Sequence, residues 1–204
     1  MSAIRVVATP RGPARVQVDG PGRGLLVLGH GAGGGPDAPD LLAARDGARD
    51  AGWRVARVEQ PWRVAGRRVA EAPAHLDAAW CAVVRSLRPR GLLVLGGRSS
   101  GARVACRTAG DLGAAAVLAL AFPLLPPGRD VTRAGELRLP TVPRLVVQGS
   151  RDAFGMPSAG PGLRVEVVTG ADHAFAVRRK DGRLSAEVLE QVRGAVRDWL
   201  QTVT

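Results

Sequence analysis

The feature that most constrains this chain is a series of short apolar runs that do not alternate with polar residues. They lie at 25–28, 53–58, 92–95, 115–121, 145–147 and 163–168. A strand with one wet face alternates with period two, whereas a strand covered on both faces, as in a parallel sheet, reads as an unbroken run. Helical stripes sit between the runs. Leu41, Ala44, Ala48 and Ala51 share one face, and Gly52 stops that helix. Leu76, Trp80, Val83 and Leu87 form a second stripe, opened by Pro73 and closed before Pro89. Val188, Val192, Val196 and Trp199 form a third. Two apolar runs at 4–8 and 14–18 flank Pro10-Arg11-Gly12-Pro13, which suits an N-terminal hairpin. The pattern predicts one α/β domain over 1–204: a mainly parallel twisted sheet, an antiparallel N-terminal hairpin, and helices on both faces. Function in such a sheet belongs to the loops at the carboxyl ends of its strands.

Length and composition narrow the function classes. A chain of 204 residues builds one core that buries roughly 70% of its unfolded surface, so no disulfide or metal staple is required. With 46% apolar and 23% charged residues it reads as globular. Two cysteines, Cys81 and Cys106, exclude a disulfide framework or a Cys-built zinc site. The three histidines are far apart, so no H-E-x-x-H metal motif occurs. No apolar stretch reaches about 18 residues and no secretory leader pattern opens the chain, so the cytoplasm is expected, with no membrane partner. The net charge is +11, but the basic residues are scattered, and three Phe, four Trp and no Tyr give no stacking ladder. A solvated basic surface with salt-sensitive, non-specific adsorption is expected rather than a specific nucleic-acid partner.

Three loops look like one site. Gly97-Arg98-Ser99-Ser100-Gly101 follows one apolar run and precedes a small-residue helical segment. This is G-x-S-x-G in a strand–turn–helix context, where the glycines make room for a serine on a sharp turn. Ser99 sits between Gly97 and Gly101, whereas Ser100 would put Arg98 at a crowded position. Ser99 is therefore the candidate nucleophile, and the Ser100 N–H, at the helix start, is a candidate oxyanion donor. The second loop, Gly29-His30-Gly31-Ala32-Gly33-Gly34-Gly35, lets backbone N–H groups face a ligand, with Ala32 the expected second donor and His30 bracing the loop or lining the substrate site. The third feature is a pair of loops, Gly149-Ser150-Arg151-Asp152 and Gly170-Ala171-Asp172-His173, each after a strand. They complete the chain order Ser…Asp…His. His173 would take the Ser99 proton, and Asp152 would hold the imidazole. Asp152 also reads as an Asx-turn residue or an Arg151 partner, and His75 as a solvated side chain. Asp172 is expected to point away from His173.

The glycine loop also spells Gly29-x-Gly31-x-x-Gly34, a dinucleotide fingerprint, with Glu59 ending the next strand where a ribose-binding acid would stand. Against that reading, Asp37 and Asp40 open the following helix, where a pyrophosphate needs positive potential. A nicotinamide site would also leave the serine turn without a purpose.

On these motifs the chain resembles the α/β-hydrolase superfamily over nearly its whole length. It is more closely similar to a dienelactone-hydrolase-like group of small bacterial hydrolases related to testis-expressed protein 30 and to the hydrolase-like domain of a subunit of the non-specific-lethal histone acetyltransferase complex. The matching stretches are His30-Gly31-Ala32-Gly33-Gly34, Val58-Glu59-Gln60-Pro61-Trp62, Gly96-Gly97-Arg98-Ser99-Ser100-Gly101-Ala102-Arg103, the 122–128 segment, Val147-Gln148-Gly149-Ser150-Arg151-Asp152-Ala153-Phe154-Gly155 and Asp172-His173-Ala174-Phe175. The resemblance implies an α/β-hydrolase fold, a catalytic triad of Ser99, Asp152 and His173, and an oxyanion hole at Ala32 and Ser100. Ser100 stands where relatives often carry Met and Ala153 where they often carry Pro; neither change removes a catalytic group. Only the 122–141 stretch lies where larger relatives insert a lid, so a minimal cover or none is expected.

The expected chemistry is hydrolysis of a carboxylic ester or thioester of a small acyl substrate, through an acyl-Ser99 intermediate and without a cofactor. Arg98 has two readings, a contact for an anionic acyl group or an ion pair with a nearby acid, for which Glu59 is one candidate. A different class of function is a binding or scaffolding module with vestigial catalysis, against which the complete Ser, His and Asp set counts.

Overall fold

In the computed structural model, which describes residues 3–126, 128 and 130–204, the apolar runs become strands of one eight-stranded sheet. Pro127, within the 122–128 motif, lies outside the described residues. Strands β1 (Ala3–Thr9) and β2 (Gly12–Asp19) form the expected antiparallel hairpin. Strands β3 (Gly24–Gly29), β4 (Arg54–Glu59), β5 (Leu92–Arg98), β6 (Ala116–Leu120), β7 (Arg144–Gly149) and β8 (Leu163–Val168) are parallel to one another. The order across the sheet is β1-β2-β4-β3-β5-β6-β7-β8, with β2 antiparallel to both its neighbours.

The helices are α1 (Pro39–Asp50), α2 (Pro61–Val64), α3 (Pro73–Ser86), α4 (Ser100–Thr108), α5 (Ala134–Arg138) and α6 (Ser185–Gln201). In β3 the side chains point alternately to the two faces, and both faces are covered. Leu26 and Leu28 join Leu41 and Trp199 under α1 and α6, while Leu25 and Val27 join Trp80, Val83 and Val104 under α3 and α4. That double burial is why the run at 25–28 carries no alternation. Helix α1 ends in a Schellman motif: Gly52, at φ 78°, donates to Arg49 O, and the Trp53 N–H donates to Ala48 O at 2.9 Å. The chain then passes directly into β4 with Trp53 fully buried.

Two strands depart from the sequence pattern. The run at 53–58 contains Arg57, which is only 3% exposed. Its charge is met by Asp19 at 3.5 Å, by a short contact to Asp37, and by Gln17 Oε1 at 2.7 Å, so a buried cation sits in an interior strand without being orphaned. The run at 163–168 becomes the edge strand β8, where Arg164 and Val167 face outward, so its cover is partial. Helices α2 and α5 are too short to carry a periodic stripe. Among the described residues, no helix is long and apolar enough to cross a membrane.

The chain leaves β3 through α1 to reach β4, then returns to place β5 on the other side of β3. The strand order therefore reverses at β3 and β5, and a crevice opens at their carboxyl ends.

The α1–α6 pairing, which closes one face of the sheet, depends on Gly47. A Cβ there would lie 2.2 Å from Arg193 O. Gly47→Ala is expected to lower the urea unfolding free energy by about 1–3 kcal/mol. Gly194→Ala, on the facing helix with nothing nearer than an Arg197 nitrogen at 3.9 Å, is expected to raise it by about 0.5–1 kcal/mol. Equal effects from both would contradict the close approach.

Candidate active site

The site is built around the turn from β5 into α4. Ser99 takes φ 51° and ψ −108°, a conformation that costs on the order of 1–3 kcal/mol for a residue with a side chain. Its neighbours make the turn sterically possible. A Cβ on Gly97 would lie 2.4 Å from Gly29 O, and one on Gly101 would lie 2.2 Å from the same atom. The Ser99 N–H donates to Leu120 O at 2.9 Å, pinning the turn to the end of β6. The hydroxyl is left projecting from the crevice between the ends of β3 and β5.

The structure brings Ser99, His173 and Asp152 together. His173 Nε2 lies 3.0 Å from Ser99 Oγ, and His173 Nδ1 lies 2.8 Å from Asp152 Oδ2. A carboxylate only accepts hydrogen bonds, so Nδ1 carries the proton and Nε2 presents its lone pair to the hydroxyl. Asp152 is largely buried, and its other oxygen accepts from the Phe154 N–H at 2.8 Å. Arg151 turns away from it, to Gly170 O and Asp181. The Phe154 ring packs on the imidazole at a centroid distance of 4.3 Å. Asp172 faces its own loop, as expected: Oδ1 accepts from Ala174 N–H at 2.8 Å and Ala176 N–H at 2.9 Å. Phe175, at φ 56° and 3% exposed, anchors the far side of that loop in the core.

Sequence reading missed Gln148, which ends β7 fully buried. Its Nε2 donates to Asp152 Oδ2 at 2.8 Å, and its Oε1 accepts from the Phe122 N–H at 2.8 Å. It thereby ties the acid to the end of β6. The available signal was a lone amide closing an apolar run just before Gly-Ser-Arg-Asp.

The glycine loop passes over the serine, and a Cβ on Gly31 would lie 3.5 Å from Ser99 Cβ. Ala32 is exposed in this loop. Ser100 is the first residue of α4, where helical N–H groups lack intrahelical partners. His30 braces the loop, the first of its two expected roles. It is 3% exposed, its Nδ1 lies 2.8 Å from Gly31 O, and its Nε2 accepts from the Gln60 N–H at 3.1 Å. Both ring nitrogens are committed to bracing the loop, and burial pushes the imidazole pKa below its ordinary 6.5.

Of the two readings of Arg98, the ion pair with a nearby acid is the one observed, and Glu59 is not the partner. Arg98 Nε forms an ion pair with Asp40 Oδ2 at 3.0 Å, and its Nη2 donates to His173 O at 3.0 Å. The partner acid is Asp40; Glu59 instead faces Arg15 at 3.7 Å. Burial pushes the Asp40 carboxyl above the usual range, and the Arg98 charge opposes that shift. The dinucleotide context is not met either, because α1 starts at Pro39 rather than at the glycines. Asp37 and Asp40 are each neutralised by an arginine.

A family model described as an alpha/beta hydrolase domain matches residues 22–201. No curated protein matches the chain in sequence. Among solved structures, an a/b serine hydrolase without a lid from Xanthomonas campestris is 22% identical, with a TM-score of 0.74 over 100% of this chain and 97% of that one. An alpha-beta serine hydrolase homologue from Coxiella burnetii is 18% identical, with a TM-score of 0.75 over 96% of each chain. A dienelactone hydrolase from Anabaena variabilis is 15% identical, with a TM-score of 0.70 over 94% of this chain and 95% of that one. At these identities the likeness is one of fold.

The buried His30 makes stability depend on pH in a definite direction. Its folded pKa lies below the unfolded 6.5, so below about pH 6.5 the unfolded chain binds a proton that the folded chain refuses, and stability falls as pH falls. His30→Asn is expected to flatten the slope of urea-unfolding free energy between roughly pH 7 and 5.5. Glu71 and Glu136, whose pKa values are depressed, lose their contributions at lower pH. An unchanged slope in the variant would refute the assignment.

Proposed function

The chain belongs to the alpha/beta hydrolase family, and we propose that it is a serine hydrolase cleaving a carboxylic ester or thioester of a small acyl substrate. The observation that carries this reading is the unbroken line from Ser99 Oγ to His173 to Asp152, at 3.0 and 2.8 Å. A serine hydroxyl is a weak nucleophile at neutral pH and needs a base at hydrogen-bond distance. His173 Nε2 removes the Ser99 proton as Oγ attacks the acyl carbon. Asp152 stabilises the imidazolium and holds its orientation. The carbonyl oxygen gains negative charge and is met by the N–H groups of Ala32 and Ser100. Collapse breaks the bond to the alcohol or thiol, which takes the proton from His173 and leaves acyl-Ser99. Water, deprotonated by His173, then attacks the acyl carbon; the acid departs and Ser99 regains its proton.

The surroundings favour small or accessible substrates. Among the described residues, the β6–β7 connection carries the short α5 and no other helix. Behind Ser100 the recess between His30, Trp62 and Trp80 measures about 10 Å³, about the room one water needs, so the acyl group rests in the open crevice. The structural likeness to a dienelactone hydrolase accords with ester chemistry. The Cys106 thiol, pushed up to about 12 by burial, supplies no competing thiolate. Arg98 is neutralised by Asp40, so among the described residues the cation next to Ser99 in sequence is not free to select an anionic acyl group. Arg98 instead positions His173 through its carbonyl.

Ser99→Ala is expected to abolish fluorophosphonate labelling and to lower esterase turnover on the order of 10⁴-fold or more, with Asp152→Asn costing less. Labelling that persists in Ser99→Ala would reject the nucleophile, and a wild-type protein that neither labels nor turns over an activated ester would be a vestigial module. Arg98→Gln is expected to lower kcat by roughly 10–100-fold with little change in KM, equally for acetyl and succinyl esters. A loss confined to the succinyl ester would restore Arg98 as a substrate contact.

A further inference from the structure

The opposite end of the sheet holds a second concentration of chemistry. A cleft of about 320 Å³ opens where β3 and β4 begin, at the amino-terminal end of the parallel strands. Its walls carry Arg5 from β1, Arg54 from β4, and Arg88 and Arg90 from the segment that joins α3 to β5. Gly22 and Gly24 contribute bare backbone, and no acidic residue is among the described residues that line it. Arg88 adopts a left-handed φ of 47° just beyond α3, where helices usually place glycine.

Elsewhere about half of the arginines of this chain are answered by acids. Arg57 meets Asp19 and Asp37, Arg103 meets Glu136, Arg107 meets Asp77 and Glu136, and Arg193 meets Asp50 and Glu190. Among the described residues, none of the four cleft arginines has an ion pair or a side-chain hydrogen bond. Like charges gathered on the walls of one cleft without a counter-charge repel one another, and the field they create draws an anion. The end of α3 contributes about half a negative charge, which four full positive charges outweigh.

We propose that this cleft binds a compact, multiply charged anion: the di- or triphosphate group of a small molecule. Guanidinium forks match phosphate oxygens two at a time, and four of them around one cavity suit several phosphate oxygens rather than a single carboxylate. The volume is at the lower end of small-molecule pockets and encloses a few phosphate groups, not a stretch of duplex. The seven residues of β5, at about 3.3 Å each, put it about 20 Å from Ser99. The ligand therefore does not touch the hydrolytic residues, and its binding is independent of the proposed hydrolase activity.

Isothermal titration of the full chain with inorganic tripolyphosphate tests the site. The expected result is saturable one-to-one binding that weakens with salt. Arg54→Gln with Arg88→Gln should reduce affinity at least about tenfold, the loss of two charge-assisted contacts. Arg178→Gln with Arg179→Gln removes equal charge from an exposed segment outside the cleft and should change it less than about twofold. Thermal melting without ligand checks that each variant folds; if the first pair does not, Arg90→Gln alone is measured and should also weaken binding. Three results would overturn the proposal: no saturable binding, equal losses from the cleft and control pairs, or tighter binding of a DNA duplex through the same arginines.

Discussion

Three glycines at one contact decide the rest of this molecule. The parallel register sets Gly29 at the end of β3 beside Gly97 at the end of β5, and α4 then crosses both with Gly101. A Cβ at Gly97 or Gly101 would lie within 2.4 Å of Gly29 O, a distance that no rotamer change relieves because the obstructing atom is backbone. This close approach lowers the glycine loop onto the serine and forces the chain to turn at Ser99 itself. The strain is on the order of 1–3 kcal/mol, a sizeable share of the 5–15 kcal/mol that holds a domain of this kind together. It persists because β6 anchors the Ser99 N–H and because the packed faces of the sheet leave β3 and β5 no room to separate.

Arginine supplies the second layer of positioning. Removing an ion pair from water costs more than it returns unless the geometry and hydrogen bonding are good, so buried pairs are weak evidence for stability. Here two of them tie a loop to a fixed element. Arg57 holds Pro36 and Asp37, at the end of the glycine loop, to the sheet. Arg98 joins the start of α1, through Asp40, to the backbone of the histidine loop. Gln148 does the same for the acid without charge, linking Asp152 to the end of β6. The hydroxyl, imidazole and carboxylate are thus each held by a partner on another strand or loop, which is what a relay with 3.0 and 2.8 Å spacings demands.

The parts legible in the sequence were those whose physics is local. Unbroken apolar runs, proline-opened helices, the Gly52 stop and the hairpin turn all depend on a few neighbouring residues, and they became elements close to the expected positions. The turn at Ser99 was legible for the same reason, since Gly97 and Gly101 are separated from Ser99 by one residue each. The parts that escaped depend on remote pairing. Nothing near Arg98 names Asp40, so Glu59, at the end of a strand, was the natural candidate, although the hairpin gives that acid to Arg15. Gln148 looked like one polar residue at a strand end, because Phe122 and Asp152 meet it only after β6 and β7 pair. The edge position of β8 was likewise invisible, since it follows from strand order and not from the composition of the strand.

The distribution of charge separates what the net value of +11 merges. In the crevice at Ser99, the adjacent Arg98 guanidinium is spent on Asp40 and a backbone carbonyl, so the serine sits beside a neutral pair. In the proposed reaction an unneutralised arginine there would stabilise the oxyanion, but it would also oppose formation of the His173 imidazolium that the same step requires. Pairing it with an acid removes that conflict and keeps its hydrogen-bonding fork for positioning. The uncompensated charge is instead displaced to surfaces such as the Arg54 and Arg88 cleft, where about 20 Å and the solvent beyond a Debye length screen it from the reacting atoms. A chain can therefore be strongly basic overall and still hold an electrically balanced Arg98–Asp40 pair beside Ser99.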